Sequence, residues 1–124
     1  MNLEMKVNEI LKTAETEGIT SALHKQYGKM LKLSIPFSAK ACGGGIEVLN
    51  LSCRALNSMR RAGIVTIAEA IEAAASGELV RIRNLGKKTE NEIKTRLLEY
   101  GYENLTLPEK VKFIYSVVAL NQKV

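Results

Sequence analysis

Residues 82–93 read IRNLGKKTENEI. Gly86 stands before two lysines, Lys87 and Lys88, and a hydroxyl, Thr89, and a helical pattern is under way within four residues. Cations at a helix start oppose the macrodipole, so the arrangement suits a place where an anion arrives. Phosphate fits the chemistry. The first turn of a helix exposes unpaired N–H groups, and a glycine lets a backbone approach closely because it has no Cβ. Lys87 and Lys88 then supply charge and Thr89 a hydroxyl. Helix-hairpin-helix elements grip a nucleic-acid backbone in this manner without reading its sequence. The plainer account of the same residues is a turn glycine followed by lysines on a solvated face.

A second cluster lies upstream in LSCRALNSMRRAGI, residues 51–64. Arg54, Asn57 and Ser58 fall within about one helical turn, and Arg54 and Asn57, at i and i+3, share a face. Arg61 follows seven residues after Arg54 on the same side. Arginine and asparagine are side chains that can read or follow a DNA groove. For Arg60 and Arg61 a polar outer face on an amphipathic helix is the preferred account.

Short helices must position both clusters. Residues 2–17 put Leu3, Val7, Ile10, Leu11 and Ala14 on one stripe, with Gly18 as a stop. Residues 21–33 repeat the pattern through Leu23, Tyr27, Met30 and Leu31, with Gly28 as a weak point. Pro36 and Gly43–Gly45 then read as a connection between two units. Ser52 caps a helix that stops at Gly63. Thr66 and Glu69 form a T-x-x-E capping box that opens another, ended by Gly77. A very short helix near residues 78–81 precedes the Gly86 loop and a helix over about 88–100, closed by Gly101. Thr89 and Glu92 repeat the T-x-x-E spacing, as do Thr106 and Glu109. Residues 109–121 are apolar almost all round, which predicts a helix buried on two sides; a strand is the competing reading, because so many of the residues are β-branched.

Bulk composition narrows the function. The protein has 124 residues, 46% of them hydrophobic, and a net charge of +5, which tolerates a polyanion without proving one. Every acid is a glutamate; with one histidine, His24, and two cysteines, Cys42 and Cys53, outside any C-x-x-C spacing, metal ligands are scarce. The cysteines read as free thiols. No stretch reaches the roughly 18 apolar residues of a membrane span, and the start does not resemble a signal peptide. The expectation is a cytoplasmic, non-catalytic protein with no cofactor and no metal: His24 has no evident partner, and no G-x-S-x-G or similar nucleophile motif occurs.

Together the two clusters resemble a known family. Residues 46–101 are similar to the C-terminal domain of the bacterial RNA polymerase alpha subunit, through LNLSCRALNSMRRAGIVTIAEAI and LVRIRNLGKKTENEIKTRLLEYG. The resemblance implies an all-α fold: a compact bundle of short helices containing a helix-hairpin-helix, here with extra N- and C-terminal helices. The implied division is 1–45 as an N-terminal helical extension, 46–101 as the alpha-like domain and 102–124 as a C-terminal helix. It implies a DNA surface of Arg54, Asn57, Ser58, Gly86, Lys88, Thr89 and Glu92, set in or beside the minor groove of A·T-rich duplex, with the glutamate positioning its neighbours. RNA polymerase, the sigma factor and transcription regulators follow as partner classes. The family's acidic sigma-contact patch corresponds to residues 46–50, which hold one acid, and the region used for activator contacts reads EAAASGEL and is a residue short. Forty-five helix-patterned residues do not match the family's β-rich assembly domain, so a full-length chain of this sequence is expected to be a free-standing relative rather than an assembling polymerase subunit. The apolar stripes of the two ends are expected to pack on the central domain, with a homodimer through the terminal helices or a partner protein as the other solutions.

Two further readings compete with DNA binding in transcription. One is an interaction protein that occupies the regulator-docking surface of the alpha domain. The other is a sequence-nonspecific helix-hairpin-helix module of repair or recombination.

Overall fold

A computed structural model describes residues 2–28, 35–36, 43–83 and 85–121. Among these residues the fold is all-α. Six α-helices run α1 Leu3–Glu17, α2 Ile19–Tyr27, α3 Cys53–Arg61, α4 Ile67–Ser76, α5 Gly86–Glu103 and α6 Leu107–Asn121, with 3₁₀ turns at Ile46–Leu49 and Glu78–Arg81.

Local chemistry sets most of the helix ends. Asn2 accepts from the Met5 N–H at 2.8 Å to open α1. The Thr66 hydroxyl accepts from the Glu69 N–H at 3.1 Å while the Glu69 carboxylate takes the Thr66 N–H at 3.0 Å, a complete capping box. The Val65 N–H, which the Glu69 carboxylate also accepts at 3.1 Å, and then the Thr66 N–H and hydroxyl hold the Glu69 carboxyl below the usual carboxylate range. Thr106 and Glu109 repeat the exchange at the start of α6. Gly77 ends α4 in the left-handed region at φ 81°. Residues 107–121 are helical, although only Ile114, Val117 and Val118 are fully buried and Leu120 is 54% exposed, so this helix is covered on one side rather than two.

Two apolar cores share one helix. The first gathers Ile46, Leu49, Ala55, Met59, Ile67, Leu79 and Leu85 around Ile93 and Leu97 of α5. The second gathers Val7 and Ile10 of α1, Ile19 and Leu23 of α2, and Ile114, Val117 and Val118 of α6 around Leu98 and Tyr102 of α5. Each α5 pair is spaced i, i+4, and the second pair begins one residue after the first ends, about 100° further round the helix. One long helix therefore presents a different face to each core, and the terminal stripes bury against one another and against α5.

Two further expectations need correction. Gly101 does not close α5; the helix runs on to Glu103 and Gly101 is buried inside it. A Cβ there would fall on the Pro36 carbonyl oxygen, so this glycine serves close approach, and burial of Tyr102 rewards continuation. Gly28 is not a weak point within α2 but its end, with its N–H on the His24 carbonyl at 2.8 Å; Met30 and Leu31 lie outside the described residues. Within the glycine connection, the Gly44 carbonyl accepts from the Ile67 N–H at 2.9 Å, the Ile46 N–H reaches the Val65 carbonyl at 3.1 Å, and Gly45 forms an isolated antiparallel bridge with Thr66.

Candidate nucleic-acid interface

Helix α3 carries the first cluster. Ser52 is its N-cap, its hydroxyl accepting from the Ala55 N–H at 3.2 Å. Ala55 and Met59 anchor the inner face, both fully buried. Arg54 and Asn57 consequently point outward and are exposed. Ser58 differs: it borders the Met59 face and is only 2% exposed.

Helix α5 carries the second cluster. Leu85, buried at 2% exposure, is the residue before its first turn and offers no side-chain acceptor, and the first turn holds no acid. The other helices with a described polar cap satisfy their first N–H groups with Asn2, Ser52, Thr66 or Thr106. At α5 those donors have no such partner among the described residues and stand beside Gly86, at φ 77°, and Lys88, both exposed. A positive φ suits glycine and strains other residues. Asn84, just upstream, lies outside the described residues.

The two lysines are not equivalent. The Lys87 ammonium is 3.5 Å from the Glu90 carboxylate, which also holds Lys94 at 2.8 Å. Glu90 is 3% exposed, and the Lys94 hydrogen bond keeps its carboxyl below the usual range against the upward pull of burial. Lys88 has no carboxylate within ion-pair distance among the described residues and keeps its charge available. A depressed folded-state carboxyl contributes stability above its unfolded value and loses it as pH falls through the folded one. Glu90→Gln is therefore expected to be less stable than wild type near neutral pH, with the gap closing below about pH 4. The same variant frees Lys87 and Lys94 and is expected to bind duplex DNA more tightly. Urea titrations at several pH values and a binding titration read both effects.

Glu92 joins the clusters. Its carboxylate accepts from the Ser52 N–H at 2.6 Å and from the Ser52 hydroxyl at 2.9 Å, across forty residues of sequence. It is thus no partner in a local Thr89–Glu92 box; Thr89 sits inside the first turn of α5 and is 8% exposed. Glu92 instead completes the cap of α3 from outside. Because Ser52 lies two residues before Arg54, and Glu92 one turn after Lys88, this tie joins the start of α3 to the first turns of α5, the two elements that carry the exposed cations. Glu92→Ala should cost about 1–2 kcal/mol of stability, the range for a lost cap and a charged hydrogen bond at a partly exposed site. It should weaken DNA binding without changing the salt slope, because the carboxylate does not neutralise phosphate. Melting curves and a salt series separate those effects.

Of the seven candidates, Arg54, Asn57, Gly86 and Lys88 are exposed on adjoining elements, Ser58 and Thr89 are buried beneath them, and Glu92 bonds to Ser52. Glu90 escaped the sequence reading, though its signal was there: lysines three residues before it and four after it. Among the described residues no group of three or more His, Cys, Asp or Glu side chains gathers as a metal site, and no helix is long and apolar enough to cross a membrane. Cys53 is a free, exposed thiol; Cys42 lies outside the described residues.

Comparison with known proteins bears on residues 39–99, which match the family of the C-terminal domain of the bacterial RNA polymerase alpha subunit. The protein is 48% identical over 56 residues to the DNA-directed RNA polymerase subunit alpha of Symbiobacterium thermophilum, covering 45% of its own length and 18% of that relative. It is 45% identical over 58 residues to the same subunit of Aster yellows witches'-broom phytoplasma, covering 47% and 17%. Against the subunit of Wolinella succinogenes the identity is 46% over 57 residues, covering 46% and 17%. The matched part thus spans under a fifth of the length of these relatives. No solved structure gives a significant match. Residues 39–99 are an alpha C-terminal-domain-like segment.

Proposed function

We propose that this alpha C-terminal-domain-like segment acts as a non-catalytic, transcription-linked module that binds double-stranded DNA. Arg54 and Asn57 face the minor groove of A·T-rich sequence, where a narrow groove concentrates negative potential. The first-turn N–H groups around Gly86, with Lys88, hold the adjoining phosphate backbone. The tie of Glu92 to Ser52 at 2.6 and 2.9 Å carries the reading, because it couples the element that would enter the groove to the element that would grip phosphate. The relatives are polymerase subunits by name, so RNA polymerase, its sigma factor and its regulators are the partner class that goes with this role.

The test is a fluorescence-anisotropy titration of the 124-residue protein against A·T-rich and G·C-rich duplexes of equal length across a salt series. We expect weak binding that favours the A·T-rich duplex, with a log–log salt slope shallower than roughly −4, since a small module makes few phosphate contacts. Equal affinity for both duplexes removes the groove assignment, and a salt-independent affinity removes the electrostatic account.

A further inference from the structure

By periodicity alone Arg61 belongs to a solvated face. In the fold it lines a shallow cleft with Ser58, Ala62, Arg81, Ile82 and Arg83. Three arginines are thus among the residues that border one depression, and no glutamate is among them. All three arginines are exposed, and none forms an ion pair among the described residues. The backbone beneath them is fixed. Leu79, in the 3₁₀ turn that ends at Arg81, is 1% exposed, the Ile82 N–H bonds the Leu79 carbonyl at 3.3 Å and the Leu85 N–H bonds the Ile82 carbonyl at 3.2 Å. Like charges gathered on a rigid frame repel one another while the cleft is empty. A ligand that neutralises them removes that repulsion.

We propose that Arg61, Arg81 and Arg83 form a second phosphodiester-binding cleft, separate from the Gly86–Lys88 grip; this rests on the duplex-binding reading. The layout of α3 selects a nucleic-acid backbone over other anions. Arg54, Asn57 and Arg61 share one stripe of that helix. The Ser52 end of the stripe meets Glu92, and the Ser58–Arg61 end meets residues 81–83. The segment from 81 to 92 therefore runs alongside α3 in the opposite sense, with a cation site at each end. Arg54 and Arg61 are about 10 Å apart along the helix at 1.5 Å per residue, and the minor groove is about 6 Å wide. With Arg54 over the groove, the Arg61 cleft lies over the backbone that flanks it. Guanidinium forks match phosphate oxygens bidentately.

The experiment compares two double variants of the 124-residue protein by anisotropy on A·T-rich and G·C-rich duplexes over a salt series. Arg81→Ala/Arg83→Ala removes cleft charge. Lys12→Ala/Lys112→Ala removes the same net charge from exposed positions on α1 and α6. The cleft variant is expected to flatten the salt slope by about two units and weaken both duplexes at least about fivefold, leaving the A·T to G·C ratio as in wild type. The lysine variant is expected to shift the slope by far less. Equal effects of the two variants, or an unchanged slope in the cleft variant, overturn the second cleft while the Arg54 assignment stands. Failure of wild type to bind either duplex overturns both. Arg81→Lys/Arg83→Lys, which keeps the charge, should retain most of the slope; its complete loss there assigns the arginines a folding role instead.

Discussion

Arg54→Ala is expected to bind A·T-rich duplex about 1–3 kcal/mol more weakly than wild type and to lose its preference over G·C-rich duplex. The expectation follows from placement. Arg54 stands exposed on α3, its neighbours Ala55 and Met59 hold the helix to the core, and the Ser52 cap fixes the turn from which it projects. Among the described residues no ion pair uses its side chain. Lys88→Ala should behave differently in kind. As a phosphate contact it should weaken both duplexes about equally and reduce the salt slope by roughly one unit. Neither change should shift the melting temperature much, since exposed substitutions usually stay within about 0.5 kcal/mol. Paired anisotropy titrations with melting curves decide the matter. If Arg54→Ala loses affinity only in proportion to lost folded protein, the side chain is structural.

Gly101→Ala is expected to have the largest effect on stability, with a sign opposite to helix propensity. In an exposed helix interior, alanine for glycine gains about 1 kcal/mol. Gly101 is inside α5 and buried, and an added Cβ would meet the backbone carbonyl of Pro36 as well as its ring. Backbone cannot swing aside as a side-chain tip does, so the helix and residues 35–36 must separate. Overpacking of this kind costs about 1–3 kcal/mol net, or a drop in melting temperature of about 5–10 °C for a protein of this size. DNA affinity measured well below the transition should change little, because Gly101 lies more than three turns beyond the Lys88 end of α5. A higher melting temperature would mean that residues 35–36 do not seat on α5.

The same contrast between local and distant contacts explains what could be read from the sequence. The Thr66–Glu69 box, the Ser52 cap and the stops at Gly63 and Gly77 depend on bonds within a few residues, so residue type and spacing revealed them. Glu92 did not yield to that logic. Its spacing from Thr89 matches a local cap, but its partner is Ser52, forty residues earlier, and no rule of short spacing encodes that pairing. Gly101 misled for the same reason: a glycine after a periodic stretch usually ends a helix, and only the approach of Pro36 makes it interior. The exposure of Arg54 and Asn57 was legible from helical period. The burial of Ser58 and Thr89 was not, because a small polar residue at the border of an apolar face is compatible with either side until the neighbouring element is placed. Arg61 belonged to a polar face by periodicity, and the cleft emerged only when Arg81 and Arg83 were brought beside it. The terminal stripes clearly needed burial, but their joint packing on the far face of α5 required knowing that one helix serves two cores.

Duplex DNA is expected to meet this protein where α3 and the start of α5 adjoin. Backbone amide chemical shifts of the ¹⁵N-labelled 124-residue protein, recorded as an A·T-rich duplex is added, test that placement most directly. The expected result is progressive shifts centred on residues 52–58 and 86–92, extending to 81–83, with α1 and α6 unmoved. Shifts centred on α1 and α6, with the amides of Arg54, Asn57, Gly86 and Lys88 unmoved, would contradict it.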